Sequence, residues 1–255
     1  MEMSQSNKKP FFARLRKNFI KEKKTFSNRL ERSWYSSKYP KPITGSAKWL
    51  VNTEIKYGGF VTGVVRNKVS SNDPRTKEQI LEGRMSGGDR MYDHLYARKY
   101  AKYLKPFVMK KKPITLVEVG ILKGSGIAMW CELFPDSRII GLDIDLGHIT
   151  NNMSYLKDKG AFQNNEPELY PFDQFKDNQK LIRDFLNGAT IDVFIDDGFH
   201  SVESILTTIT SVLPHLSKDF VYIIEDNEEV HTQLKILYPN YLIDYSNRLT
   251  IITSK

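Results

Sequence analysis

Two apolar runs that each stop abruptly at carboxylates constrain this chain more than any other feature. Residues 191–200 read IDVFIDDGFH and residues 220–227 read FVYIIEDN. Both have the β-branched and aromatic content of a strand. Each empties into a loop: Asp196, Asp197 and His200 follow the first run, and Glu225, Asp226 and Asn227 follow the second. In open α/β sheets ligands sit outside the carboxyl ends of the strands. Two neighbouring strands ending this way would bring hard oxygen donors to one mouth, a setting for a divalent cation. The plain alternative is that acids end strands because loops are wet.

Upstream, an apolar strand over 114–119 leads into EVGILKGSG (118–126) and a helical run over 127–134. Strand, glycine-rich turn and helix form the unit that lets backbone approach a nucleotide. Lys123 is followed by Gly124 and then Ser125, so no Walker lysine precedes a Ser or Thr directly, and Gly120, Gly124 and Gly126 do not make GxGxxG. With Glu118, these glycines suit a cofactor that has no pyrophosphate to clasp. A second strand over 138–142 ends at Asp143, placed beyond the glycine turn where an acid holds a ribose diol.

The other segments are less sharply patterned. Residues 49–86 combine a strand-like run broken by Gly58, Gly59 and Gly63, a turn-rich stretch, and a short helix over 76–85. Over 87–104, Tyr92, Tyr96, Tyr100 and Tyr103 recur at three or four and predict a helix with one aromatic stripe. Asp89, Arg90 and His94 at its start are polar groups that a helix N-terminus can aim at a ligand. Residues 110–113 read as a basic linker, and the polar stretch 147–171 as an irregular lid or substrate loop. PFDQFKDNQ, with Asp173 and Gln174, precedes a helix over 179–186; a helix over 202–216 ends near Pro214; strands at 241–245 and 249–253 form a hairpin.

At 255 residues the chain accommodates one sizeable α/β domain with an appendage. It shows no membrane-length apolar run and no secretory leader, which favours a cytoplasmic protein, peripheral to a membrane if its tail binds one. Cys131, the only cysteine, falls in an apolar helical run and suits a buried role. The net charge of +8 belongs to the first forty residues, where eleven Lys or Arg face three acids, while the rest is formally balanced. Phe11, Phe12, Leu15, Phe19, Ile20 and Phe26 are interleaved there, a pattern compatible with contact to an anionic membrane or to RNA, or with a solvated extension. The expected organisation is a basic tail (1–40), leaving through a Pro- and Gly-containing hinge, a helical or irregular cap (41–110), and a catalytic domain (111–255). A homo-oligomer is compatible with all of this.

Taken together, these motifs resemble the class I S-adenosylmethionine-dependent methyltransferases. Within that class, GGDR with His94 and Tyr96, DQFKD, IDDGFHS and IIEDN resemble the TDK-then-HxY, GDQxD, IDDGSH and IED segments of the metal-dependent O-methyltransferases that act on macrolide sugars. The resemblance covers about residues 87–253. It implies a Rossmann-like, seven-stranded, mostly parallel sheet closed by an antiparallel C-terminal hairpin, with an N-terminal extension. It also implies S-adenosylmethionine and Mg²⁺ as cofactors and a small sugar or glycoside as acceptor. By position, Glu118, Gly120, Gly124, Gly126, Asp143, Asp173, Gln174 and Asp196 would face the cofactor, while Asp197, Asp226 and Asn227 would hold the metal. His200 would be the general base beside Asp197, and Asp89, His94, Tyr96 and Glu225 would lie near the acceptor. Phe199, Arg90 and Phe172 depart from the Ser, Lys and Gly usual in that group. Asn227 after Asp226 looks more like the DN pair of catechol-type enzymes. A phenolic diol acceptor, an RNA substrate guided by the tail, and a non-catalytic binding module on the same fold are the competing expectations.

Overall fold

The protein is described by a computed structural model over residues 25–58 and 89–255. The chain divides into two compact units, Met1–Pro42 and Ile43–Lys255. In the first, the described part is a helix, α1 (residues 25–36), and the irregular segment after it. The predicted helix over 76–85 and most of the basic tail lie outside the described residues.

The second unit opens with α2 (Ala47–Lys56) and α3 (Ala97–Lys110). Strands and helices then alternate: β1 (Thr115–Val119), α4 (Ser125–Leu133), β2 (Arg138–Asp143), α5 (Gly147–Asp158), β3 (Glu168–Pro171) and α6 (Gln179–Leu186). The second half continues with β4 (Ile191–Asp196), α7 (Val202–Val212), β5 (Leu216–Ile224), α8 (Val230–Leu237), β6 (Tyr241–Ser246) and β7 (Leu249–Ser254). One seven-stranded sheet runs in the order β3-β2-β1-β4-β5-β7-β6. β1 to β5 pair in parallel and β7 runs antiparallel to both β5 and β6. The strand order reverses between β1 and β4, which places the crevice of an open α/β sheet at their carboxyl ends.

The pleat decides what each face carries, because successive residues of a strand point to opposite sides. On one side Val117, Val119, Phe194, Tyr222 and Ile224 meet Ile182 and Phe185 of α6, Ile205 and Ile209 of α7, and Leu234 of α8 in a continuous core. Each such fully buried side chain contributes about 1.5–3 kcal/mol. The alternate residues Glu118 and Glu225 face the other way, where Trp130 of α4 stacks on Tyr100 of α3 at 5.6 Å. That second face therefore carries buried acids, and it becomes the polar side of the site.

Four expectations are corrected here. Residues 47–56 form a helix and not a strand-like run, because Ser46 caps them by accepting a hydrogen bond from the Trp49 N–H (3.2 Å) and Leu50, Val51 and Glu54 fall on one buried face. The tyrosine-rich helix starts at Ala97, not near Gly87: Leu95 sits at φ 61°, and residues 89–96 form turns. Tyr92 is thus off the stripe, and α3 continues past Leu104 to Lys110, the first residue of the stretch read as a linker. The stretch 147–171 is ordered into α5 and β3. Only Ile149 and Leu156 of α5 are buried and β3 is a short, half-buried edge strand, so neither carries a strong apolar period.

Candidate active site

Gly120 begins the turn after β1 at φ 85°, a left-handed conformation that side chains disfavour. A Cβ there would lie 2.0 Å from the Asp197 carbonyl oxygen, so the turn presses directly on the loop after β4. That loop continues the ladder, with the Asp197 N–H donating to the Val119 carbonyl at 3.0 Å. At the tip of β2, Asp143 is half-buried. Its Oδ2 accepts from the Leu122 N–H at 2.9 Å and its Oδ1 from the Asp145 N–H at 3.0 Å. The carboxylate is thereby oriented by the turn, and each oxygen keeps a second lone pair for a ligand hydroxyl. A close backbone approach and a pre-oriented acid fit the ribose and amino-acid ends of S-adenosylmethionine. Gly124 and Gly126 are small for packing reasons, since a Cβ would meet Ile149 at 2.5 Å and Glu118 at 2.6 Å respectively.

The adjacent acids after β4 part company. Asp196 turns toward α7 and is buried; its Oδ1 accepts from Gln174 Nε2 at 2.8 Å. Gln174 also donates to Thr208 (3.1 Å) and accepts the Phe199 N–H at 2.7 Å, fastening the loop after β3 to the loop after β4. Gly198 makes this possible, because a Cβ would lie 1.9 Å from Gln174 Oε1. Asp173 pairs with Lys176 at 3.0 Å and accepts from the Phe175 N–H, which together hold its carboxyl below the usual range.

Asp197 turns to the opposite side and meets the end of β5. Asp197, His200 and Asp226 each offer one donor atom within 4.8 Å of the others. His200 and Asp226 are both held at positive φ, 65° and 55°. For non-glycine residues that costs about 1–3 kcal/mol each and marks functional loops. Asp226 accepts from the Tyr96 hydroxyl at 2.6 Å and lies 3.3 Å from His94 Nδ1 and 3.2 Å from Arg248. Behind this triad Arg90, 6% exposed, bonds Glu118, reaches Asp197 at 2.6 Å and approaches Glu225 at 3.4 Å. Burial alone would lower Arg90, but Glu118, Glu225 and Asp197 more than offset it and hold it well above its ordinary value. Burial pushes Asp197 up to about 6 despite Arg90, and Glu225 well above the carboxylate range. The two carboxylates offer the hard oxygen donors that a divalent ion such as Mg²⁺ takes, and the imidazole beside them is a nitrogen donor or a base.

Three of the residues expected in the site are placed elsewhere. Asn227 is turned away from the triad: its Oδ1 accepts from the N–H groups of Glu229 (2.8 Å) and Val230 (2.7 Å), and its Nδ2 donates to the His200 carbonyl (2.9 Å). His200, not Asn227, is the residue that lies within reach of both Asp197 and Asp226. Glu118 is fully buried between Arg90 and Trp130 Nε1 (2.8 Å), so it faces the acceptor-side acids and not the cofactor crevice. Glu225 is likewise buried, bonded by the Tyr100 hydroxyl. Asp89 is partly exposed beside His94, at 3.9 Å. The sequence had marked Arg90 as a departure and, with Asp89 and His94, as a polar group aimed at a ligand, and Glu54 not at all. An acid within β1 and acids directly after β4 and β5 were the available signal that a cation lies among them.

This topology and this glycine turn define the class I methyltransferase fold. The chain resembles the macrolide-sugar group within it. It is 25% identical over 148 residues to an 8-demethyl-8-alpha-L-rhamnosyl tetracenomycin-C 2'-O-methyltransferase of Streptomyces olivaceus, covering 55% of this chain and 35% of that protein. It is 26% identical over 141 residues to an L-olivosyl-oleandolide 3-O-methyltransferase of Streptomyces antibioticus, covering 52% and 32%. The chain thus spans about a third of the length of the curated relatives it matches. Among solved structures, the MycE methyltransferase from the mycinamycin biosynthetic pathway, in complex with Mg and SAH, is similar with a TM-score of 0.50 and 19% identity, covering 64% of this chain and 50% of that one. No family model matches the sequence. Among the described residues, no helix is long and apolar enough to cross a membrane.

Proposed function

We propose that this chain is an S-adenosylmethionine-dependent O-methyltransferase that methylates a hydroxyl of a sugar or glycoside, with Mg²⁺ held by Asp197 and Asp226. The observation that carries the reading is the convergence of Asp197, His200 and Asp226 within 4.8 Å, at the carboxyl ends of neighbouring strands and against the Gly120 turn. The resemblance to sugar O-methyltransferases supports the choice of acceptor class.

S-adenosylmethionine supplies a methyl group already activated by the sulfonium charge. The protein's task is therefore on the oxygen, since a sugar hydroxyl holds its proton tightly at neutral pH. Bound Mg²⁺ supplies a positive charge beside the developing alkoxide. Asp197 and Asp226 hold that charge at the mouth. Asp143 orients the ribose, and the Gly120 backbone admits the cofactor beside the loop that carries Asp197. His200 accepts the acceptor's proton, a contribution of about 10²–10⁴-fold. Alignment of methyl and oxygen by the two loops supplies much of the remainder.

Labelled S-adenosylmethionine with a panel of nucleotide sugars, glycosides and catechols, read by mass spectrometry, identifies the acceptor. Asp197→Asn and Asp226→Asn should each lower turnover by at least about 10²-fold and abolish Mg²⁺ binding in calorimetry, with S-adenosylmethionine binding retained. Full activity in both variants, or turnover unaffected by a chelator, sinks the metal reading. The triad geometry supports a second role for His200, as a ligand. His200→Gln separates the two: a base leaves Mg²⁺ affinity unchanged and removes the acid limb of the pH profile, whereas a ligand weakens Mg²⁺ binding.

A further inference from the structure

We infer that Glu54 is a positioning residue for the cation site, acting from a helix outside the stretch that resembles known methyltransferases. It does so by clasping the backbone of the segment that carries Arg90, His94 and Tyr96. The inference rests on the metal reading given above.

Glu54 lies in the last turn of α2 and is 2% exposed. A carboxyl group removed from water that far needs donors, and it finds them in the main chain of a distant loop. The Met91 N–H donates to Glu54 Oε1 at 3.0 Å and to Oε2 at 3.1 Å, and the Tyr92 N–H donates to Oε2 at 3.1 Å. The Met91 side chain is itself fully buried, so the segment is fixed on both sides at this point. Arg90 precedes the clasp and enters the pocket of Glu118, Asp197 and Glu225. The segment then closes on itself, with the Tyr96 N–H donating to the Arg90 carbonyl at 3.0 Å and the His94 N–H to the Asp89 carbonyl at 2.9 Å. From that closed loop Tyr96 bonds Asp226 and His94 sits beside it. Both acids of the cation site are thus held by side chains whose backbone is anchored at Glu54.

Two consecutive N–H groups call for a side chain with two acceptor oxygens at this reach. Glutamine brings one oxygen and turns an NH₂ toward an N–H. Aspartate keeps both oxygens but retracts them by about 1.5 Å. Contacts of the segment run to Glu118, Asp197, Glu225 and Asp226; among the described residues, none of the hydrogen bonds that orient Asp143 or the Gly120 turn involves it. Loosening the clasp should therefore be felt by the cation and not by the cofactor.

The test uses the full chain, with Glu54→Gln and Glu54→Asp. Hydrogen exchange over residues 89–96 reads the clasp, and calorimetric titrations with Mg²⁺ and with S-adenosylmethionine read the two sites. In Glu54→Gln, exchange at Met91 and Tyr92 should quicken at least tenfold and the Mg²⁺ Kd should rise about tenfold, the size expected when the support of a metal ligand is lost. The S-adenosylmethionine Kd should stay within about twofold, and Glu54→Asp should fall between wild type and Glu54→Gln. Should Glu54→Gln fail to fold, Glu54→Asp alone carries the comparison. Quickened exchange with an unchanged Mg²⁺ Kd overturns the inference, as does a parallel loss of both ligands. A wild-type chain that takes up no Mg²⁺ overturns the metal reading itself, and is recognised before any variant is made.

Discussion

Arg90 sets the electrostatics of the site at the scale of single residues. Its guanidinium serves Glu118, Asp197 and Glu225 at once, yet its Nη1 is buried with no hydrogen-bond partner among the described residues. The fork cannot satisfy all its donors where three acids approach from one side. Removing the cation leaves Glu118 and Glu225 buried without it, and an uncompensated buried charge costs about 3–5 kcal/mol. Arg90→Met should accordingly lower stability to urea by an amount of that order, measured from the shift in unfolding midpoint at constant slope. Arg90→Lys should recover only part of it, because a point charge cannot span three carboxylates. The sequence showed Arg90 standing where related enzymes have lysine, but not what it touches. Its partners lie as far as 135 positions away, within β1 and just past the ends of β4 and β5, and only the sheet order brings them together.

At the scale of elements, legibility followed the strength of the apolar period. β1, β4 and α6 have dense cores and were readable within a residue or two, whereas β5 starts at Leu216, ahead of the apolar run at Phe220 and inside the end of the expected helix. α5 buries two side chains and β3 none fully, so their segment reads as a loop until β3 is seen paired with β2. The start of α3 was misplaced because tyrosines at helical spacing extend beyond the helix, into a loop whose shape is imposed by Glu54 from α2. Asn227 makes the same point. A DN pair after a strand reads as a metal signature, but here the asparagine accepts the Glu229 and Val230 N–H groups at the entry to α8 and tethers the loop of His200. Asn227→Ala should therefore cost about 1 kcal/mol of stability through the lost cap. It should also lower turnover through a displaced His200, while Mg²⁺ still binds Asp197 and Asp226. Loss of Mg²⁺ binding in step with turnover would return Asn227 to the ligand set.

Over the whole molecule, buried acids give the protein an unusual dependence on pH. Burial pushes Glu54 up to about 8 against the N–H bonds from Met91 and Tyr92, and Asp196 and Asp197 up to about 6, with Glu118 and Glu225 raised as well. A carboxyl whose pKa is higher folded than unfolded binds more protons in the native state between the two values. Its contribution is complete below the unfolded value and is lost as pH rises through the folded one. Stability of the metal-free chain should consequently fall from about pH 4.5 to about pH 8. The lowered acids, Asp173, Glu168, Asp184 and Asp244, act in the opposite sense only in more acidic solution, around their unfolded values. His215, lowered by burial, opposes the trend near neutrality, but as one group against five. Mg²⁺ should reverse the slope in part, because its ligands must be deprotonated and its binding free energy adds to folding. Urea midpoints measured between about pH 5.5 and pH 8, with chelator and with Mg²⁺, check both statements. A metal-free midpoint that rises across this range would mean that these acids are ionised in the native state and matched by cations throughout. The same series in Glu54→Gln should show a shallower slope toward pH 8, because Glu54 is raised to about 8, while the raised Glu225 still contributes.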